Sequence, residues 1–281
     1  MKLSALVLVA AAMVLGMAAS AGAVDGTIEI NQAKVLAAGG FPFTVGSGSY
    51  RLTSNLTVPG CIGGLTGGNN VTIDLNGFSI IEGGCQTSGA PGGISVGNGA
   101  TVENGTVTGF AIGVVVGNNS IVRNVHADAD GQGIVAGSNA VLEGCTANNS
   151  NSGEGGIAGM QGGAGSTISG NTANGNRESG IQCTSCTISG NTADNNFEIG
   201  ITGTGGVISG NTADSNKIGI DCLGSGCLIT GNAIDNNGQN AIVATDATTA
   251  YGGNVMNGDG PISGGTSMGA MNTNSCGGSA C

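Results

Sequence analysis

The segments Ile188-Ser189-Gly190-Asn191-Thr192-Ala193-Asp194 and Ile208-Ser209-Gly210-Asn211-Thr212-Ala213-Asp214 are two copies of one heptapeptide, placed twenty residues apart. The same period continues in both directions, and its apolar anchor position holds Val102, Val122, Leu142, Ile168, Ile188, Ile208 and Ile229. The step between anchors is 20 or 21 residues, except for a step of 26 after Leu142, which indicates a six-residue insertion around residues 153–165. Such a short unit cannot bury its apolar side alone, so successive units must stack into one core.

Within each unit, apolar and polar residues alternate over three or four positions between glycine and asparagine, a pattern typical of short β-strands. Three short strands in every twenty residues predict an all-β, single-domain, right-handed parallel β-helix. Glycine makes up 58 of the 281 residues, a content that a disordered low-complexity chain could also show. The glycines keep fixed positions in the repeat, however, where the chain must turn sharply, and this phase favours an ordered solenoid.

Asparagine forms two columns in the predicted stack. The first contains Asn171, Asn191, Asn211 and Asn232, and the second, five residues later, contains Asn176, Asn196, Asn216 and Asn237. Neighbouring coils lie about 4.8 Å apart, so identical amides can hydrogen-bond along a column and satisfy the backbone at each bend. We interpret both columns as structural ladders.

The repeating Gly-Asn-Thr-x-x-x-Asn-x-x-Gly-Ile unit resembles the parallel β-helix repeats of the pectate-lyase-like superfamily, and of the NosD-like periplasmic proteins within it. Residues 49–58 and 71–78 are similar to the opening coils of secreted bacterial β-helix proteins. The resemblance covers about residues 30 to 255 and implies the fold. It implies no single activity, because that superfamily contains lyases, hydrolases, epimerases and non-enzymes on one scaffold.

The two ends of the chain differ from the repeat. Residues 1–23 have the pattern of a secretory signal peptide, with Lys2, an apolar run and an Ala21-Gly22-Ala23 cleavage motif after which the leader would be removed. Residues 24–60 are predicted to form an N-terminal cap, as a short helix or strand, with the first strands. Residues 61–257 are predicted to form the β-helix, and residues 258–281 a flexible tail with a cysteine pair. No later apolar stretch is long enough to cross a bilayer.

Export makes the nine cysteines candidates for disulfides. Equivalent cysteines of the repeat lie two coils apart, about 9.6 Å, beyond the Cα separation of roughly 7 Å that a disulfide can bridge. We therefore expect the pairs Cys61–Cys85, Cys183–Cys186, Cys222–Cys227 and Cys276–Cys281. Cys145 falls in an asparagine column and is expected to be a buried free thiol. A redox or metal role for Cys183 and Cys186 is the alternative, although no histidine lies near them in the sequence.

Acidic residues far outnumber basic ones: without Lys2, five basic residues remain against 17 acidic ones. This balance excludes nucleic acid as a ligand, because phosphate binding needs clustered Lys and Arg. It also disfavours polyanionic glycans unless a cation bridges them. Neutral sugars are usually held on aromatic platforms, and the chain has no Trp and only two Tyr.

One column of the repeat is acidic, with Asp194, Asp214 and Asp235 in adjacent coils. The column has two interpretations. It can be a solvated, charged edge that prevents lateral strand pairing, or a row of hard oxygen ligands that binds Ca²⁺. Ca²⁺ is the single cofactor that the sequence suggests, and none is required.

Two groups of residues are candidates for catalysis. In pectate-lyase-like enzymes, as the resemblance implies, substrate lies along the outer face of the first strand, which here is predicted to carry Val115, Val135, Ala158, Gln182, Thr202 and Asp221. That strip offers one carboxylate and no base. The flanking turns also contain Glu154, Glu178 and Glu198, of which a pair could act in glycosidase chemistry, and stacking would bring Glu178 close to Glu198. Together with Arg177 and Lys217, Glu178 and Glu198 are interpreted as exposed ion pairs between coils.

The single histidine, His126, lies beside two aspartates in the sequence and is a candidate general base. Equivalent positions in later coils hold Thr146, Thr172, Thr192 and Thr212, so we interpret His126 as a substitute for a surface threonine. The threonine column raises ice binding as a third function class, although only four threonines stack.

The sequence thus predicts a secreted or periplasmic β-helix that acts as a non-catalytic scaffold or binding protein of the cell envelope or exterior. A polysaccharide or an envelope protein is the expected partner, and the chain is expected to be a monomer. A polysaccharide lyase or glycoside hydrolase is the alternative function.

Overall fold

The computed structural model describes residues 26–84, 92–151, 158–224, 226–268, 274–277 and 279–280. The chain winds into an all-β parallel solenoid of about 11 turns, with equivalent residues roughly 21 positions apart. The fold class predicted from the repeat is confirmed. Among the described residues, no helix combines the length and apolar character that a membrane crossing needs.

Three parallel sheets, here called A, B and C, run along the solenoid, and each turn contributes one strand to each sheet. Sheet A contains Phe43–Val45, Leu65–Gly67, Ile94–Val96, Ile112–Val116, Gln132–Ala136, Ala158–Gly162, the first halves of Ser179–Ser189 and Ile199–Ser209, Ile218–Cys222, Asn240–Ala244 and Ser263–Gly264.

Sheet B follows sheet A along each turn. It contains Ile28–Ile30, Gly48–Leu52, Val71–Asp74, the first halves of Thr101–Thr108 and Ile121–Asp128, Val141–Glu143, Thr167–Ser169, the second halves of Ser179–Ser189 and Ile199–Ser209, Cys227–Thr230, Ala250–Gly252 and Thr266–Ser267.

Sheet C completes the turn. It contains Leu56–Val58, Ser79–Glu82, the second halves of Thr101–Thr108 and Ile121–Asp128, Ala233–Asp235, Val255–Asn257, Ser275–Cys276 and the antiparallel Ser279–Ala280. Between these strands it narrows to single bridging residues, namely Thr146, Thr172, Thr192 and Thr212.

The apolar anchors predicted from the repeat form one continuous buried column. Val102 pairs with Val122, and the pairing continues coil by coil through Ile208 to Ile229. Every member is buried in the single hydrophobic core. Because burial of one such side chain is worth about 1.5–3 kcal/mol, this column and its equivalents in sheets A and C drive the stacking.

The N-terminal segment forms one short helix, Gln32–Ala37. Asn31 caps it, since its side-chain oxygen accepts a hydrogen bond from Lys34 N at 2.9 Å. Val35 enters the core, and the Gln32 side chain bonds to the backbone of Thr57 in sheet C. The segment for which the sequence left helix and strand open therefore contains both, the strand Ile28–Ile30 in sheet B and this helix attached to the first coils.

The C-terminal segment differs from the flexible tail expected at residues 258–281. Its described residues add strands to all three sheets, and the side chains of Asp259 and Asn274 continue the two amide columns, accepting from Asn237 Nδ2 at 2.9 Å and from Asn254 Nδ2 at 3.0 Å. The coil is hard to recognise in the sequence because an aspartate replaces asparagine in one column and the spacing there widens to 22.

Two predicted disulfides are present, each within one bend: Cys183–Cys186 with a Cα separation of 5.9 Å, and Cys222–Cys227 with 6.2 Å. All four cysteines are buried, and the disulfides therefore staple the bends between sheets A and B. Cys61 and Cys276 are also disulfide-bonded, while their predicted partners, Cys85 and Cys281, lie outside the described residues. Cys145 is free and buried, as expected.

Candidate binding groove

The first asparagine column forms a continuous hydrogen-bonded ladder. Asn191 Oδ1 accepts from both the backbone N–H and the side-chain amide of Asn171, at 2.9 and 3.0 Å. Asn191 Nδ2 donates to Ile168 O and to Asn211 Oδ1, both at 2.9 Å. The pattern repeats through Asn232 and Asn254. Each amide from Asn171 to Asn254 is therefore paired inside the solenoid, and Asn274 ends the column with an Nδ2 that has no partner among the described residues.

The second column has the same geometry from Asn176 to Asn237, where Asp259 ends it. Towards the N-terminus the column changes character. Ser150 occupies the position before Asn176, and Asp130 occupies the position before Ser150, because Ser150 N donates to Asn176 Oδ1 and Phe110 N donates to Asp130 Oδ1. Sequence analysis missed this continuation, although the spacing of 20 and 26 residues follows the anchors.

Asp130 is a buried carboxyl group without a complete set of partners. It is 2% exposed; its Oδ1 accepts from Phe110 N at 2.7 Å, while its Oδ2 and the Oγ of Ser150 have no partner in the described part of the chain. Burial raises the pKa of the Asp130 carboxyl to about 8; the Phe110 hydrogen bond opposes this rise and the charge of Asp128 adds to it. At neutral pH the group is therefore mainly protonated, and a neutral carboxyl resembles the asparagine amide of later coils.

A groove of about 530 Å³ lies where this altered segment meets the regular ladder. It is lined by Asn149, Ser150, Asn151, Gly175, Asn176, Arg177, Asn195 and Phe197. Asn149 and Asn195 sit at left-handed turns, with φ of +57° and +55°, a conformation that asparagine tolerates. The groove also adjoins the coil that carries the six-residue insertion, whose residues 152–157 lie outside the described ranges.

Two exposed side chains, one aromatic and one cationic, distinguish the surface of the groove. Phe197 is 73% exposed, the highest fraction among the large apolar side chains of the described residues. Arg177 is exposed as well, and within the described ranges its guanidinium has no hydrogen bond or ion pair. Both backbones are fixed to the preceding coil, by Arg177 N to Ser150 O at 3.0 Å and Phe197 N to Asn176 O at 2.9 Å.

The two candidate glutamates lie next to this groove. They stack in adjacent coils, with Glu198 N donating to Glu178 O at 3.2 Å. Glu198 Oε2 forms an ion pair with Lys217 Nζ at 2.5 Å, one of the predicted contacts between coils. Glu178 and Arg177 form no ion pair with each other or with another residue in the described ranges.

His126 lies away from the groove, on sheet C. Its Nδ1 is 3.0 Å from Thr146 Oγ1, and its backbone occupies the position of the threonines in the column that runs to Thr212. The structure therefore places His126 where the sequence predicted it, at one position of a row that threonines otherwise occupy.

The carboxylates of the acidic column accept hydrogen bonds from backbone N–H groups of the next coil. Asp194 Oδ1 accepts from Asp214 N, and Asp214 Oδ1 accepts from Asp235 N, both at 2.9 Å. Burial raises the pKa values of Asp194 and Asp214, and neighbouring aspartates raise that of Asp214 further. Within the described ranges, no three His, Cys, Asp or Glu side chains converge as a metal site would require.

The outer strip of sheet A differs from the prediction at one coil. Gln161 pairs with Val135 and Gln182, so Gln161 occupies the position that the sequence analysis gave to Ala158, which pairs instead with Ser179. The insertion caused the error, because it contains a second Gly-Ile pair at residues 156–157. Asp221 lies on this strip as predicted but is only 7% exposed, and burial raises its pKa.

Comparison with protein families finds one match. Residues 63–269 match the family described as periplasmic copper-binding protein (NosD). Comparisons with curated proteins and with solved structures found no match.

The described residues do not fit the copper that the family description implies. Proteins bind copper through imidazole nitrogens and through the sulfur atoms of Cys and Met. His126 is exposed and bonded to Thr146, whereas the free thiol of Cys145 is buried in the core, where burial raises its pKa to about 11. Met160 and Met256 are buried as well. These side chains point to different environments and form no common site, so no function is assigned through copper.

The family match and the fold agree in extent. The matched region begins in the first coils, includes both asparagine columns up to Asn254 and covers most of the chain. The chain therefore belongs to the NosD family.

Proposed function

We propose that this protein is a periplasmic or secreted β-helix that binds a glycan without catalysis, in the groove between Asn149 and Phe197. The observation that carries the proposal is the exposed ring of Phe197 beside four asparagine residues and the guanidinium of Arg177, which has no partner within the described ranges. An aromatic face can cover the apolar face of a sugar ring, and amide groups can exchange hydrogen bonds with its hydroxyls.

The rigidity of the groove supports binding of this kind. The turns that carry Arg177 and Phe197 are attached by backbone hydrogen bonds to the preceding coils, Arg177 N to Ser150 O and Phe197 N to Asn176 O. Little backbone entropy is then lost when a ligand binds these turns, and preorganisation of this kind increases affinity. A single exposed aromatic residue is ordinary on a protein surface; its place among convergent polar groups is what supports the proposal.

The state of the nearby carboxylates supports binding over hydrolysis. A glycosidase needs one protonated carboxyl group as general acid and a second carboxylate as base or nucleophile. Glu198 Oε2 is occupied by the ammonium group of Lys217, so this carboxylate cannot face a glycosidic bond without breaking that ion pair. Hydrolysis by Glu178 and Glu198 remains the competing function because the two residues occupy adjacent coils.

Binding assays with a panel of neutral and acidic oligosaccharides test this function. We expect Phe197→Ala to weaken binding at least tenfold, equivalent to about 1.4 kcal/mol. Leu228→Ala, which shortens an exposed apolar side chain on sheet B, is the matched control and should change nothing. Equal binding by wild type and Phe197→Ala would refute the groove as the site. Release of reducing ends or unsaturated products that Glu178→Gln or Glu198→Gln removes would instead establish the enzyme.

Export is also part of the proposal. The family description and the pattern of residues 1–23 both support a periplasmic or secreted product. N-terminal sequencing of the protein recovered from a bacterial periplasm should begin at Val24. A product that begins at Met1 and stays with the cytosolic fraction would contradict this part.

A further inference from the structure

Most basic side chains of the protein have partners within it, and three of them form ion pairs. Five basic residues follow the proposed leader. Four have partners: Lys34 Nζ with Glu29 O at 2.7 Å, Arg51 Nε with Asp74 Oδ2 at 3.2 Å, Arg123 Nε with Glu103 Oε2 at 2.6 Å, and Lys217 Nζ with Glu198 Oε2 at 2.5 Å. In the described part of the chain, Arg177 is the basic residue whose side chain has no partner.

Arg177 differs from the other basic residues in its surroundings as well, and these surroundings indicate which ligand it could bind. The residues that line its groove are uncharged apart from Arg177 itself, while the protein as a whole is strongly acidic. A guanidinium presents two parallel N–H donors that match the two oxygens of a planar carboxylate. The groove therefore offers one cationic anchor, amide groups and an aromatic face within one ligand-sized space.

We propose, as an extension of the glycan-binding function above, that the ligand is a sugar with a single carboxylate, which Arg177 binds while the ring stacks on Phe197. A polyanion fits less well, because further carboxylates would extend beyond the groove towards Glu178 and the acidic column. A phosphate ester also fits less well, since it carries between one and two negative charges near neutral pH. One unpaired cation matches one negative charge.

Titration calorimetry with matched disaccharides tests the inference on the full mature protein. Cellobiose is compared with cellobiouronic acid, and diacetylchitobiose with the N-acetylglucosaminyl-N-acetylmuramic acid disaccharide, so that each pair differs by one carboxylate-bearing group. Digalacturonate supplies a dianion. We expect the monoacid of at least one pair to bind about tenfold more tightly than its neutral counterpart and more tightly than the dianion, with a preference that weakens as salt increases.

Variants identify the residue responsible. Arg177→Gln should remove the preference for the monoacid, so that the acidic and neutral members of a pair bind with equal affinity, and Arg177→Lys should keep part of the preference. Arg51→Gln, which removes an arginine on another part of the solenoid, is the matched control. An unchanged melting temperature for Arg177→Gln would exclude loss of folding as the cause.

The outcomes separate this inference from the function on which it rests. Equal affinity for the acidic and neutral members of both pairs, with Phe197→Ala still reducing it, would overturn the carboxylate inference and leave the glycan-binding groove intact. A monoacid preference that survives Arg177→Gln, or tighter binding of the dianion, would also overturn it. No binding of any of these sugars would overturn both.

Discussion

The coils between Val102 and Ser150 and the coils between Ile168 and Asn254 have the same backbone but different internal polar groups. Both regions keep their register, and the anchors of both are fully buried. In the later region both columns contain asparagine, and each amide is paired. In the earlier region, Asp130 and Ser150 occupy one column and each leaves a buried oxygen without a partner among the described residues.

The comparison shows that the apolar column is enough to wind the coil, whereas the amide ladder determines how well the bends are satisfied. A coil can form with an incomplete ladder, at a cost in free energy. The proposed groove lies where the two regions meet, next to the insertion. In repeat proteins, departures from the repeat are where function is expected, and Arg177 and Phe197 fit that expectation.

The largest expected effect is at Asp130, the buried carboxyl group of the earlier region. Because the pKa of Asp130 is about 8 in the folded state against an ordinary value of 3.8, the folded protein stays protonated there while the unfolded chain ionises. The contribution of Asp130 to the free energy of unfolding is therefore fully present below about pH 4 and is lost as the pH rises to about 8. Asp130→Asn should therefore match wild type near pH 4 and exceed it by up to about 5 kcal/mol at pH 8.

Urea unfolding of both proteins at several pH values measures this difference. Other aspartates with raised pKa values also lower the unfolding free energy as the pH rises. Both proteins contain them, so their contribution cancels in the difference between Asp130→Asn and wild type. A stability difference between Asp130→Asn and wild type that does not change from pH 4 to pH 8 would contradict the ionisation argument.

The second effect compares one residue from each region. Asn211 accepts two hydrogen bonds from Asn191 and donates to Ile188 O and Asn232 Oδ1. Its replacement by alanine leaves buried backbone groups unpaired and should cost roughly 3 kcal/mol. Ser150→Ala removes an oxygen that has no partner among the described residues and should change the unfolding free energy by less than about 0.5 kcal/mol. Equal losses in the two variants, measured by urea unfolding, would remove the distinction between the regions.

The third effect concerns the surface near the groove. The Lys217–Glu198 pair is solvent-exposed in part, with side-chain exposures of 40% and 32%. Lys217→Gln should therefore lower the unfolding free energy by less than about 1 kcal/mol. A loss of 2 kcal/mol or more by thermal or urea unfolding would show that this pair stabilises the turns of the groove more than an exposed pair can.

The smallest effect is expected at the histidine. His126 occupies a threonine position on sheet C, so His126→Thr should change stability by no more than about 0.5 kcal/mol and leave glycan binding unchanged. A marked loss of binding in the same calorimetric assay would give His126 a role that its contacts do not suggest.

The solenoid could be predicted from the sequence because two independent signals, the apolar anchors and the asparagines, share one period. Where the period breaks, the prediction was less accurate. The Gly-Ile pair at residues 156–157 placed Ala158 at the position that Gln161 occupies, three residues later, and the aspartate at position 259 in place of asparagine made the last described coil hard to recognise. The groove could not be predicted, because the exposure of Phe197 and the isolation of Arg177 depend on which side chains neighbouring turns present, and periodicity carries no information about that.

Hydrogen exchange with and without the bound monoacid disaccharide tests most directly whether the ligand site lies at the junction of the two regions. Bound sugar should slow exchange in peptides that contain residues 146–151, 174–178 and 194–198, and should leave residues 179–183 and 218–222 of sheet A unchanged. Protection confined to the sheet A peptides, or no protection around Arg177 and Phe197, would contradict the account.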